Sequence, residues 1–284
     1  MLDRILFPVA KRFVAGRTIQ EAVEVVRRLN EQGISATLDV LGENVKDKGS
    51  AEAAAERYLQ TLAWIENSRI QSNVSLKLTQ MGLDINRDFC HSNVARICDK
   101  AAQTGNFVRI DMEGSSYTEA TLSLFLQLFQ AYKNVGIVIQ AYLRRSTSDL
   151  QRINGVGARV RLCKGAYKEP AAIAYQRMPE IRQNFKRLAE MLFTQGEYPA
   201  VATHDDQLIE WTREYARQNQ ISPARFELQM LYGVRPETQR ALARQGYRVR
   251  VYVPYGTHWL PYFSRRLRER KENVYFVIRH WFKE

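Results

Sequence analysis

The sequence predicts an α/β fold, a single (β/α)8 barrel preceded by an N-terminal helical arm, and three observations lead there. Short β-branched or aromatic runs alternate with longer helical patterns along the chain, as βα units of a parallel sheet require. These runs number eight, the count that closes a barrel. No Pro/Ser-rich linker divides the 284 residues, a length that one barrel domain fills. An open doubly wound sheet is the structural alternative, because a short apolar run taken alone is ambiguous.

The first segment, MLDRILFPVAKRFVAG, is apolar in flavour but interrupted by Asp3, Arg4, Pro8, Lys11 and Arg12, too short a run for a signal-peptide core or a spanning helix. It is expected to pack on the body of the domain, with contact to a membrane surface as the alternative. A helix over 17–33 ends at Gly33, a plausible stop, which makes 1–33 the arm and 34–284 the barrel. Strands follow as ISATLDVL (34–41), NVSLKL (73–78), NFVRIDM (106–112), GIVIQA (136–141), ARVRLC (158–163), PAVATH (199–204), RFELQM (225–230) and RVRVYV (248–253). Helical patterns over 50–67, 119–135, 180–196 and 236–246 lie between them, with Gly or Pro at several junctions.

Hydrophobic residues make up 45% and charged residues 25%, the balance of a globular protein rather than a disordered or fibrous one. A net charge of +12 favours an anionic cofactor, substrate, polymer or membrane surface without choosing among them. Cys90, Cys98 and Cys163 form no Cys-x-x-Cys pair, and their odd number argues against a disulfide framework and for a reducing cytoplasm. His91, His204, His258 and His280 show no metal-ligand spacing, so no metal is expected. Gly155 and Gly157 precede a strand and lack a third glycine, so they read as a turn rather than a dinucleotide fingerprint. KGAYKEP differs: Gly165 lets the backbone approach a ligand closely and Lys164 supplies positive charge, a reasonable place for a diphosphate.

In such a barrel the chemistry sits at the C-terminal strand ends, and here nearly every end is polar. The series runs Asp39 with Glu43 in the following loop, Lys77, Asp111, Gln140, Arg161 with Lys164, Thr203-His204, Gln229 and Tyr252. One polar strand end is an ordinary loop edge; eight in succession describe a mouth for a ligand bearing both signs. In YFSRRLRERKEN, Arg265 and Arg266 could fork onto a carboxylate, with Lys77 as a third contact; a solvated basic face is the other reading, preferred for Arg268, Arg270 and Lys271.

RLCKGAYKEP, ATHD, FELQMLYGV, VRVYVPYG and YFSRRLRERKEN occur in that order, with SLKLTQMG, RIDMEGS and IVIQAY upstream. Together they resemble the proline dehydrogenase family from about Asp39 to the C-terminus. The resemblance implies a distorted (β/α)8 TIM-like barrel that binds FAD non-covalently without a Rossmann motif. It implies that Lys77, Arg265 and Arg266 hold the proline carboxylate and that Asp111 and Arg161 are catalytic, Arg161 beside the reactive edge of the flavin. Met112, Lys164, Gly165 and Ala166 (by backbone), Gln140, Thr203, His204 and Gln229 match flavin contacts. Tyr167, Leu162 and Tyr252 match the apolar wall around the pyrrolidine ring, and Asp39, Glu43 and Glu269 match ion-pair or gating acids. Cys163, Lys168 and Arg270 depart from the common pattern and bear on the outer cofactor channel. Tyr252 favours proline over hydroxyproline. The chain ends soon after the eighth helix, which suggests the monofunctional type.

The implied reaction is hydride transfer from L-proline to flavin, giving pyrroline-5-carboxylate, with electrons passed to a membrane quinone. A separate pyrroline-5-carboxylate dehydrogenase would act downstream in proline catabolism to glutamate. A cytoplasmic protein is expected, with peripheral contact at the inner face of the membrane left as an open option. Two other readings remain at this point: a Schiff-base aldolase using Lys77 or Lys164, and nucleic-acid binding through RRLRERK, which no recognised motif accompanies.

Overall fold

In the computed structural model, which describes residues 2–269 with side chains from Leu6 to Arg266, the eight strands close into one parallel barrel in sequence order. The strands are β1 (Ser35–Val40), β2 (Ser72–Leu76), β3 (Val108–Ile110), β4 (Val135–Gln140), β5 (Arg159–Cys163), β6 (Glu197–Ala202), β7 (Glu227–Leu231) and β8 (Val249–Tyr255). Closure comes from β1, which pairs with β2 on one side and β8 on the other, Asp39 facing both Ser75 and Pro254. The open-sheet alternative is thereby excluded.

Helices α1 (Leu2–Ala10) and α2 (Ile19–Asn30) precede β1; α3 (Lys48–Ser68), α4 (Arg87–Gln103), α5 (Ser115–Ala131), α6 (Ser146–Asn154), α7 (Met178–Gln195), α8 (Asp206–Gln218), α9 (Pro236–Arg244) and α10 (Trp259–Glu269) follow the strands in turn. Local chemistry sets several starts. Thr18 caps α2, accepting the Glu21 N–H at 3.3 Å while Glu21 reaches back to the Thr18 N–H, a reciprocal cap that satisfies donors the helix leaves open. Asp47, Asn86 and Asp205 cap α3, α4 and α8 one way only, their side chains accepting the Ser50, Phe89 and Gln207 N–H groups.

Outward-facing strand residues such as Leu38, Val74, Leu76, Ile110, Ile137, Val160 and Leu162 are buried beneath the helices in the main core. Alternate residues point into the barrel and are largely polar. Near the bottom, Arg250 Nε lies 3.0 Å from both oxygens of Glu227, and its Nη1 donates to Ala36 O at 2.7 Å and Asn73 Oδ1 at 3.0 Å. Arg109 crosses to β4 and β5, donating to Ile137 O at 3.1 Å and Arg159 O at 2.6 Å. Barrel interiors are commonly filled by branched apolar side chains; this one is filled largely by charged and polar ones, Arg250 with Glu227 as an ion pair and Arg109 on backbone carbonyls.

The segment before α2 packs on α10. Phe7, Phe13 and Val14 are buried with Trp259, Tyr262 and Phe263, and the Phe7 and Trp259 ring centroids are 5.3 Å apart. Full burial of rings such as Phe13 and Phe263 contributes about 2–3 kcal/mol each. No helix among the described residues is long and apolar enough to cross a membrane.

Gly136 is where the polar interior needs a missing side chain. A Cβ there would stand 2.6 Å from Arg109 Nη1, Arg159 O and Phe107 Cζ alike. Overpacking of this kind costs about 1–3 kcal/mol, so Gly136→Ala is expected to lower the melting temperature in a thermal scan; an unchanged melt would mean that Arg109 is not held as described.

Candidate active site

The C-terminal strand ends bring four inward-facing side chains onto one carboxylate. Asp111, just beyond β3, accepts hydrogen bonds at Oδ1 from Arg161 Nη1 (2.8 Å) and the Ser75 hydroxyl (2.7 Å), and at Oδ2 from the Tyr252 hydroxyl (2.7 Å). Lys77 Nζ stands 3.6 Å from the same oxygen and 3.3 Å from both oxygens of Asp39. The Arg161 guanidinium lies over the Tyr252 ring, 5.3 Å from its centroid. Ser75 and Lys77 come from β2 and its end, Arg161 from β5 and Tyr252 from β8, and each points inward by the two-residue alternation of its strand.

Burial pushes the Asp111 carboxyl upward, but Lys77 and Arg161 with the Ser75 and Tyr252 hydroxyls outweigh it and hold it below the ordinary value. Asp39 moves the other way: burial, reinforced by the Asp111 charge, outweighs Lys77 and raises its carboxyl. The two acids thus share one ammonium, and of the two Asp111 is the one whose ionised form its surroundings favour. Burial alone would lower Lys77, yet the charges of Asp39 and Asp111 raise it, which makes it a fixed cation and a poor nucleophile.

Around this centre the other expected residues fall into two groups. On the β1–β2 side, Arg265 Nη1 on α10 donates to Glu43 Oε1 at 2.6 Å, and Arg266 is buried with its guanidinium 5.3 Å from the Tyr262 ring centroid. A cavity of about 380 Å3 opens here, lined by Glu43, Lys77, Gln80, His258, Tyr262 and Arg265 among others. Tyr167 lies within electrostatic reach of Lys77, Glu113, Arg265 and Glu43, and burial pushes its hydroxyl up to about 12.

On the β4–β7 side, Gln140 Nε2 donates to Glu113 O at 2.9 Å, and the Gln229 amide donates to Glu227. Lys164 Nζ and Arg182 Nε share Asp205 Oδ2 at 3.1 and 2.8 Å. His204 Nε2 accepts the Leu231 N–H at 2.9 Å, and Thr203 Oγ1 accepts the Asp205 N–H at 3.1 Å. Met112 is buried in the main core beside Asp111, and Ala166 is exposed in the loop after β5.

Leu162 does not join these groups. It follows Arg161 on β5, so its side chain takes the opposite face and is fully buried among the outer core residues, away from the mouth. Tyr252 presents a hydroxyl bound to Asp111 rather than a purely apolar wall. The Glu269 side chain, Arg270 and His280 lie outside the described residues.

Several site residues escape a reading of strand ends. Ser75 and the interior Arg109, Glu227 and Arg250 sit two positions before Lys77, Asp111, Gln229 and Tyr252, and that spacing is the signal that would have found them. Glu113 is buried behind the mouth, and burial raises its carboxyl despite hydrogen bonds from Thr79. Asp205 carries no pattern beyond its helix cap.

A buried ionised carboxylate among cations at the C-terminal mouth of a (β/α)8 barrel defines an enzyme of that class, with room for a small charged substrate. The family model described as "Proline dehydrogenase" matches residues 22–279. Proline dehydrogenase 1 of Bacillus subtilis (strain 168) is 44% identical over 270 residues, covering 95% of this chain and 89% of that protein. The proline dehydrogenase of Deinococcus radiodurans is 37% identical over 278 residues, covering 96% and 90%. The solved structure of proline utilization A from Bdellovibrio bacteriovorus inactivated by N-propargylglycine superposes with a TM-score of 0.86 at 26% identity, over 92% of this chain and 32% of that one. This chain therefore spans about a third of that solved structure. It belongs to the proline dehydrogenase family.

An acid depressed in the folded state adds stability that is present above its unfolded pKa and fades as pH falls through the folded value. For Asp111 the unfolded reference is 3.8. The wild type is thus expected to lose melting temperature more steeply than Asp111→Asn below about pH 4. Parallel melting curves across a pH series would remove Asp111 as the ionised centre.

Proposed function

We propose that this chain oxidises L-proline to pyrroline-5-carboxylate with FAD, non-covalently bound, as hydride acceptor, and passes the electrons to a membrane quinone. The observation that carries this reading is the convergence of Lys77, Asp111, Arg161 and Tyr252 on one buried mouth beside the Glu43–Arg265 pair, in a chain of the proline dehydrogenase family.

Two features support the cofactor. Arg161 Nε and Nη2 are buried without a hydrogen-bond partner among the described residues, donors in want of an acceptor at the mouth. Gly165 stands at φ +114, and a Cβ there would lie 2.2 Å from the Tyr142 ring, so residues 164–166 pass that ring as bare backbone. Gln140, Gln229, Thr203, His204 and the backbone of Met112 and of 164–166 would hold the flavin, with Lys164 toward the diphosphate. When bound, FAD supplies the two-electron chemistry that no side chain offers.

The chain's own residues do the rest. Lys77, Arg265 and Arg266 would grip the substrate carboxylate, and the grip fixes the ring carbon beside nitrogen in one orientation, turning binding into rate. Asp111 keeps Arg161, Lys77 and the Tyr252 hydroxyl in place, so their dipoles and charges need not reorganise during reaction. Tyr167 and the Tyr252 ring would bound the pyrrolidine. Asp39 and Glu43 would balance the cations when substrate is absent. The substrate nitrogen must shed its ammonium proton, so activity rises with pH.

The raised Lys77 disfavours the Schiff-base aldolase, which needs a neutral amine. Of the basic run RRLRERK, Arg265 turns inward to Glu43 and Arg266 is buried, which weakens a nucleic-acid reading. The positive charge instead suits an anionic membrane surface where quinone resides, and a separate pyrroline-5-carboxylate dehydrogenase would consume the product.

The purified protein is expected to be yellow, and anaerobic L-proline is expected to bleach its flavin spectrum; a bound flavin that stays oxidised would reject proline. Arg265→Met is expected to raise the proline KM by about two orders of magnitude, the loss of roughly 3 kcal/mol from one charged hydrogen bond, while flavin content is kept. An unchanged KM would dismiss the carboxylate grip.

A further inference from the structure

Glu43 holds Arg265, yet the loop that carries Glu43 has no regular structure of its own. Its next residue, Asn44, stands at φ +55, a left-handed backbone that asparagine tolerates more readily than most non-glycine residues. The contact that holds this backbone is Thr79. The Thr79 hydroxyl accepts the Asn44 N–H at 3.0 Å, and its carbonyl accepts the Val45 N–H at 3.1 Å. That hydroxyl gives its own proton to Glu113 Oε2 at 2.6 Å, while the Thr79 N–H donates to Glu113 Oε1 at 3.1 Å. With its proton committed to Glu113, the hydroxyl is oriented to receive Asn44. Gln80 adds a further tie, its Nε2 donating to Val40 O at 2.9 Å. Thr79 is fully buried and lies in the turn whose Gln80 and Met81 amides bond to the Lys77 carbonyl at 3.1 and 3.3 Å.

We infer that Thr79 is a positioning residue for the substrate clamp: by holding the Asn44–Val45 backbone, its hydroxyl sets Glu43, and through it Arg265, at a fixed place relative to Lys77. Glu113 is the anchor of this arrangement, bonded to both donors of Thr79. The inference rests on the reading of proline as substrate, whose carboxylate the clamp would grip. A hydroxyl is what the position requires, so serine meets the requirement and the near-isosteric valine does not.

The test is steady-state kinetics of the flavin-loaded enzyme with L-proline and a soluble quinone, comparing wild type, Thr79→Val, Thr79→Ser, Glu43→Gln and the Thr79→Val/Glu43→Gln double variant. Thr79→Val, which removes the hydroxyl's bonds to both Asn44 and Glu113, is expected to raise the proline KM roughly five- to tenfold, the share of one buried hydrogen bond transmitted to the clamp, with kcat and flavin content near wild type. Thr79→Ser is expected to return KM to the wild-type value. Because the effect runs through Glu43, Thr79→Val adds little in the Glu43→Gln background. A wild-type KM in Thr79→Val, a loss confined to kcat, or additive effects in the double variant would overturn the inference. Should the valine variant fail to retain flavin, the serine variant decides: a wild-type KM supports the role of the hydroxyl, and a raised KM in folded serine protein refutes it. Failure of L-proline to reduce the wild-type flavin sinks the substrate reading and this inference with it, whereas an unaffected Thr79→Val sinks the inference alone.

Discussion

One carboxylate, Asp111, makes the interior of this barrel possible. It receives Arg161, Ser75, Tyr252 and, at longer range, Lys77, from β5, β8 and β2. Buried charges are tolerated only when paired, and removing one partner of such a set costs about 3–5 kcal/mol, because the remaining charge is stranded. The strand order and the inward alternation let these groups meet, and the Gly136 gap beneath makes room for Arg109. An apolar interior would pack more simply, but it would present nothing to a zwitterion.

The other half of the site is assembled at greater distance. Arg265 arrives on α10, whose other face is held by the aromatic cluster with α1. Glu43 arrives on a loop shaped by Thr79 and Glu113. The clamp thus hangs from apolar packing on one side and from a buried hydrogen-bond relay on the other.

The barrel was legible because each strand is short, β-branched or aromatic and bounded by turn residues, and because eight of them alternate with helical patterns. The boundaries were less so: β3 spans only Val108–Ile110, although the Asp111 N–H still bonds to Leu76 O at 2.8 Å just beyond it. Of the site, polar residues closing apolar runs were visible, and family resemblance supplied roles that spacing could not. Leu162 shows the limit: adjacent in sequence to Arg161, it faces the helices, because a strand turns consecutive side chains to opposite sides. Glu113 and Thr79 were invisible for another reason, since their meaning lies in hydrogen bonds between loops that no local pattern encodes.

β1 pairs with β8, and Glu43 meets Arg265 across 222 positions of chain. Such contacts form late, so during synthesis the early strands wait for partners not yet made. An unpaired strand that is apolar on both faces invites association with its neighbours in the cell. Here one face of each waiting strand bears Asp39, Lys77, Arg109 or Asp111, which water solvates readily until closure. The charged lining that equips the finished mouth therefore also keeps the unfinished barrel soluble while it waits.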